Sequence, residues 1–164
     1  MATIGPLVGS LILGLSDVDG GKLIYDTSVY IEILRSKTFA DALRPRYEAD
    51  IPRTFFSSVV IQELLAGATD RLKRAVVEGF YRPFKRNRRI VTPSDTAWEE
   101  AGRLLGVMRG DRKDQADRLT GSFINDLLIA LSARGVGAKV VTLNTDDFTL
   151  IRRYVAFGLE ILRV

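Results

Sequence analysis

Five short apolar runs are spread along the chain, at residues 22–25 (KLIY), 54–58 (TFFSS), 89–92 (RIVT), 139–143 (KVVTL) and 159–162 (LEIL). Each is too short to be a stable helix, and most of the sequence between them carries helical periodicity. That alternation calls for parallel strands joined by crossover helices, an α/β domain with a central parallel sheet of four to five strands. Ile61, Leu64, Leu65 and Ala68 have the i, i+3, i+4, i+7 spacing of one apolar helix face, and Leu72, Ala75, Val76, Gly79 and Phe80 repeat it. Pro93-Ser94-Asp95 signals a helix start, with Ala97, Trp98, Ala101, Leu104, Leu105 and Met108 on the following face, so Trp98 and Met108 are expected in packing. Residues 123–133 are apolar almost all round and predict a buried helix, with a last helix over 146–154. Pro45 and Pro52 make 36–52 read as mixed structure, and the polar stretch 109–120 reads as a loop or short exposed helix.

The chain of 164 residues suits one domain, assigned to residues 22–164, with 1–21 as an N-terminal extension of undefined order. The apolar run 7–15 is too short and glycine-rich to span a bilayer, and no Lys or Arg precedes Lys22. Neither a membrane segment nor a secretory leader is expected, and the absence of cysteine is compatible with a cytoplasmic location. The string Gly20-Gly21-Lys22-Leu23 is no phosphate loop, because Leu23 stands where Ser or Thr must hold the metal.

Chemistry is constrained by what is missing. The sequence contains neither His nor Cys, which removes an imidazole base, a thiolate nucleophile and a Cys/His zinc site. What remains is oxygen-ligand chemistry at carboxylates, and four of them lie near the ends of apolar runs: Asp26, Glu63, Asp126 and Asp147. In an open parallel sheet, ligands bind beyond the carboxyl ends of the strands, where Asp26 and Asp147 would sit. Four carboxylates in one cleft cannot all ionise unless a hard divalent cation joins them, so the site should be partly protonated when empty. Each acid also has a structural reading. Asp26, Asp147 and the Asn125-Asp126 pair could cap helices, and Glu63 could belong to a solvated face.

A basic run, Arg82, Lys85, Arg86, Arg88 and Arg89, has Tyr81 and Phe84 interleaved and would suit RNA phosphates and bases, or simply a solvated turn. Arg109, Arg112, Lys113 and Arg118 form a looser second cluster. With 24 basic against 20 acidic residues, setting four acids aside leaves a surface suited to a polyanion.

LIYDTSVYIEIL, SSVVIQELLAGA and INDLLIALSARGVGAKVVTLNTDDF, in this order, resemble the PIN domain, and within it the VapC-type toxins of bacterial toxin–antitoxin pairs. The resemblance runs from about residue 22 to the C-terminus and includes a T-x-N-x-x-D-F pattern at 142–148. It implies a three-layer α/β/α fold and a magnesium- or manganese-dependent endoribonuclease with metal ligands at Asp26, Glu63, Asp126 and Asp147. Asn144 is implied as a helper at the metal, and Thr27 and Ser28 as residues that orient the first Asp. Alignment to the Asp-Phe pair favours Asp147 over Asp146 as the fourth acid. The implied partners are an RNA substrate, a small VapB-like antitoxin and a second copy in a homodimer. An RNA-processing nuclease without an antitoxin, or a non-catalytic binding domain of the same fold, are the competing readings.

Overall fold

The computed structural model describes residues 20–111, 117 and 119–163. Five parallel strands, β1 (Leu23–Tyr25), β2 (Thr54–Ser57), β3 (Ile90–Val91), β4 (Lys139–Thr142) and β5 (Gly158–Ile161), form one sheet in the order β3-β2-β1-β4-β5. Helices flank this sheet as the outer layers of an α/β/α sandwich. They are α1 (Thr27–Arg35), α2 (Lys37–Asp50), α3 (Ser58–Gly67), α4 (Arg71–Arg86), α5 (Asp95–Asp111), α6 (Gly121–Gly135) and α7 (Thr145–Arg152). β1 sits in the centre, with Ile24 paired to Phe55 on one side and to Val140 on the other. All three of its residues are buried, as a strand covered on both faces must be.

The chain moves from β1 out to β3 on one side and then crosses to β4 on the other. The order therefore reverses between β1 and β4, and the crevice at their carboxyl ends is where such sheets bind ligands. A chain of edge-on and tilted ring contacts joins the helices to the sheet. Tyr47 of α2 meets Tyr25 edge-on at 5.1 Å, and Tyr30 of α1 lies 4.8 Å from Phe56 and 5.4 Å from Phe80. Each such pair adds about 0.5–1.5 kcal/mol beyond its buried area.

Four expectations are corrected. Residues 36–52 are mostly helical, because α2 runs through Pro45. That proline is on the exposed side, so the carbonyl of Asp41 that it leaves unbonded can be hydrated. In α4 the buried face is Val77, Phe80 and Phe84, and Leu72 and Val76 are exposed, because the helix rests on the sheet only from its second turn onward. Trp98 is 56% exposed, although Met108 is buried as expected. The last helix ends at Arg152, two residues early. The extension at 1–19 and the cations Arg112, Lys113 and Arg118 lie outside the described residues. Among those described, no helix is long and apolar enough to cross a membrane.

Candidate active site

Asp26 follows β1 immediately and caps α1, so the capping reading holds for it, and a capping role leaves its second oxygen available. Its Oδ2 accepts from the Ser28 amide at 3.3 Å, the Ser28 hydroxyl at 2.7 Å and the Thr142 hydroxyl at 2.9 Å. Thr142 is the last residue of β4, so this carboxylate spans the two strands where the sheet order reverses. Asp26 is 2% exposed, and its Oδ1 is buried with no hydrogen-bond partner. Burial raises its pKa against the lowering effect of Ser28 and Thr142.

Glu63 is held from two other helices. Thr27 of α1 donates to its Oε2, and the Asn125 side chain of α6 donates to Oε1 at 2.9 Å. It is half-buried, so the solvated-face reading fails. The apolar side of α3, Val59, Val60 and Leu64, is buried, which fixes the rotation of the helix.

Asp126 is not a cap. Thr120 caps α6, which places Asn125 and Asp126 in the second turn of a helix that is buried from Asp126 to Ala133. Asp126 is 6% exposed. Burial pushes its pKa up to about 9, helped by the charges of Asp26, Asp147 and Glu63 and opposed by a hydrogen bond from Asn144. The side chain is protonated at neutral pH in the metal-free protein. Asp126 thus lies within electrostatic reach of the other three acids.

Asn144 caps α7, accepting from the Asp147 amide at 3.3 Å. Its amide group donates to Asp126 Oδ2 at 2.9 Å and to Asp147 Oδ2 at 3.0 Å, standing between two carboxylates. Asp147 is half-buried, whereas Asp146 is exposed. Asn125 and Thr142 are the residues that sequence reasoning did not place at the site. Thr142 has one signal in the sequence, as the first position of the T-x-N-x-x-D-F pattern, and the sequence context of Asn125 suggests only a cap.

Hydrogen bonds and the charges felt by Asp126 thus link all five candidate residues, with Asp26 and Asn144 just beyond the carboxyl ends of β1 and β4. Among the described residues, however, no group of three or more acidic side chains stands in an arrangement that could hold a metal ion. Hydrogen bonds from Thr27, Asn125 and Asn144 hold the carboxylates instead. The donor set fits a hard divalent cation, being all oxygen, and Asp26 Oδ1 is a buried atom lacking the partner that a cation would provide.

The PIN domain profile matches residues 23–154. The chain belongs to the PIN-domain family. Among solved structures it is similar to a chain of the DNA-bound VapBC of Salmonella typhimurium, at 25% identity and TM-score 0.63, covering 87% of this chain and 98% of that one. Rickettsia felis VapBC2, bound to a DNA fragment from its promoter, gives 20% identity and TM-score 0.57, covering 86% and 98%. VapBC-1 of nontypeable Haemophilus influenzae gives 18% and 0.57, covering 85% and 96%. The last two likenesses speak for the fold alone. A comparison with curated protein sequences finds no match. The PIN-domain resemblance read from the sequence therefore holds, and the fold matches that of chains in VapBC complexes.

Proposed function

We propose that this PIN domain is a metal-dependent endoribonuclease and the toxin of a toxin–antitoxin pair. The observation that carries the reading is Asp26, a buried carboxylate with one oxygen unpartnered, electrostatically coupled to Asp126 in the crevice where the sheet order reverses. Asp26 and Asp126 would be the main ligands of magnesium (or manganese), with Glu63 and Asp147 completing the shell or holding the attacking water. When bound, the cation supplies Lewis-acid polarisation of the scissile phosphate, activation of water and neutralisation of charge on the leaving oxygen.

The protein's own groups do the positioning. Ser28 and Thr142 fix Asp26 so that Oδ1 is the oxygen left over. Thr27 and Asn125 hold Glu63 from opposite sides, and Asn144 keeps Asp126 and Asp147 together while its own oxygen serves the helix cap. In this reading Asn144 orients ligands and is not itself one. The chain has no histidine to serve attack by the 2′-hydroxyl, so water attack leaving a 5′-phosphate is the expected chemistry. The solved structure similar at 25% identity is a VapBC complex, which supports a small cognate antitoxin as partner. A homodimer acting on RNA in the cytoplasm completes the proposal.

The test is cleavage of a panel of labelled RNAs in magnesium, in manganese and in excess EDTA. Asp26→Asn and Asp126→Asn should each lower the rate by roughly 100-fold or more, the order expected when a group that positions the reacting centre is lost. Product ends should carry 5′-phosphate. Cleavage that persists in EDTA, or variants as active as wild type, would refute the nuclease. Growth arrest on expression that no small neighbouring reading frame relieves would refute the toxin–antitoxin pairing alone.

A further inference from the structure

On the side of α3 opposite Glu63 lies a cavity of about 600 Å³. Ser58, Ile61 and Leu65 line it from α3, falling within about 60° of one another at 100° per residue, whereas Glu63 points roughly 170° away. Tyr81 and Lys85, one turn apart on α4, line it from the neighbouring helix, and Ile90 comes from β3. Arg88, in the turn between α4 and β3, completes it.

The cations of this region divide into two groups. Arg82 is occupied by Glu78 at 2.5 Å, and Arg89 donates to the carbonyls of Ile51 and Pro52 beneath the sheet edge. Lys85, Arg86 and Arg88 form no ion pair with any described residue, and two of these three line the cavity. Arg88 holds a φ of 56°, the left-handed conformation that glycine adopts freely at the end of a helix. An arginine there keeps a charge at the cavity in spite of its backbone.

No carboxylate lines this space. It offers an aromatic ring, an aliphatic wall, two hydroxyls and two uncompensated cations. A flat apolar group attached to an anion satisfies that set, and a single-stranded nucleotide is such a group. The volume is in the usual range for a small-molecule site. Only the thickness of α3 separates it from Glu63, about 10 Å, or some three stacked nucleotides at about 3.4 Å each.

We infer that this cavity is a nucleotide subsite gripping single-stranded RNA a few nucleotides from the bond that is cut, with the base against Tyr81 and the Ile61–Leu65 wall and phosphates on Lys85 and Arg88. The assignment rests on the nuclease reading for its ligand, but not for its test.

The probe is a fluorescein-labelled twelve-nucleotide oligouridylate, titrated with the full chain by anisotropy in excess EDTA, so that binding is read without cleavage. Lys85→Gln with Arg88→Gln should weaken binding about 10-fold and reduce the log–log salt slope by about 1.4, at roughly 0.7 for each phosphate of a single strand that is no longer neutralised. Tyr81→Leu should weaken binding about 10-fold, a typical loss for one stacked base, with the salt slope unchanged. Arg88→Gly relieves the left-handed backbone, so it should unfold at a higher temperature than wild type while binding RNA more weakly, which separates a weakened grip from misfolding. Lys37→Gln, which removes one cation from α2, is the control. In magnesium, the groove variants should raise KM while kcat changes less than twofold.

Groove variants that bind within twofold of wild type with the slope intact overturn the subsite and leave the nuclease standing. A wild type that binds through the groove but never cleaves leaves the subsite and overturns the nuclease. A wild type that does not bind the oligonucleotide overturns the subsite. Variants that keep RNA binding but lose a co-expressed antitoxin also overturn it, in favour of a protein groove.

Discussion

Asp126 is the residue whose ionisation the fold opposes most directly, since burial and three neighbouring acids all act against its charge. Its folded pKa, pushed up to about 9, lies above the 3.8 of a free carboxyl. Between those values the native state holds a proton that the unfolded chain has released. The stability this group provides is therefore fully present below about pH 4 and is lost as pH rises through 9. Asp126→Asn mimics the protonated form and can still accept from Asn144. The metal-free variant should match wild type in stability near pH 4 and exceed it at pH 8 by the order of a few kcal/mol, read from urea unfolding midpoints. Saturating magnesium should reverse the ranking at pH 8, because the cation favours the carboxylate. A variant no more stable than wild type at pH 8 in EDTA would show that Asp126 ionises without strain. Such acids were legible in the sequence because each interrupts an apolar pattern near a strand or within a helix. Their holders were not, because Asn125 reaches Glu63 across 62 positions and Thr142 reaches Asp26 across 116. No local pattern encodes a partner that distant.

At the scale of elements, the strands were readable to within about one residue at most ends, since β1 and β4 are buried on both faces and leave unbroken apolar runs. Helices were misread where a local signal competed with tertiary packing. Pro45 argued against a helix, but Ala40, Leu43 and Tyr47 bury one side of α2 and hold it through the break. Pro45 faces solvent, so replacing it restores the missing amide donor to the Asp41 carbonyl without disturbing the core. Pro45→Ala should raise stability by about 1–2 kcal/mol, less than the full helix-propensity difference because the unfolded chain also gains freedom. Thermal unfolding would register this as a rise of a few degrees. No rise would mean that α2 is already kinked to suit the proline. The face of α4 was misread for a different reason. Leu72, Ala75 and Val76 have ideal spacing, but whether an apolar face finds a cover depends on where the sheet ends, which spacing does not contain.

For the whole molecule, the strand order is the fact that places the site, and it was the least accessible from sequence. Five strand candidates fix neither which is central nor where the order reverses. A second feature at this scale has no local sequence signature, a charged network that ties the sheet's edge to its centre. Asp50, 5% exposed at the end of α2, accepts from Tyr25 of β1 at 2.6 Å and from Arg53 at 2.6 Å and Arg46 at 3.4 Å. Arg46 reaches on to Glu160 of β5 at 2.7 Å. Burial raises the Asp50 carboxyl, but the hydrogen bonds of Tyr25 and Arg53 outweigh it and hold its pKa below the usual value. The sign is opposite to that of Asp126: the stability from Asp50 is present above the unfolded pKa and is lost as pH falls through the folded one. Asp50→Asn should therefore cost about 2–3 kcal/mol at pH 6, under the range for a fully buried pair because both arginines are about a third exposed. The loss should shrink as pH falls below the unfolded value of 3.8 and through the folded one, where wild type loses the same charge. Wild type in EDTA should then be most stable near the unfolded carboxyl value of 3.8, falling in stronger acid through Asp50 and steadily toward alkali through Asp126. Magnesium should lift the alkaline limb alone, since Asp50 is held by arginines and offers a cation no site. Urea midpoints from pH 3 to 9, with and without magnesium, decide the matter. A cation that raised both limbs equally would place its binding outside the acidic crevice.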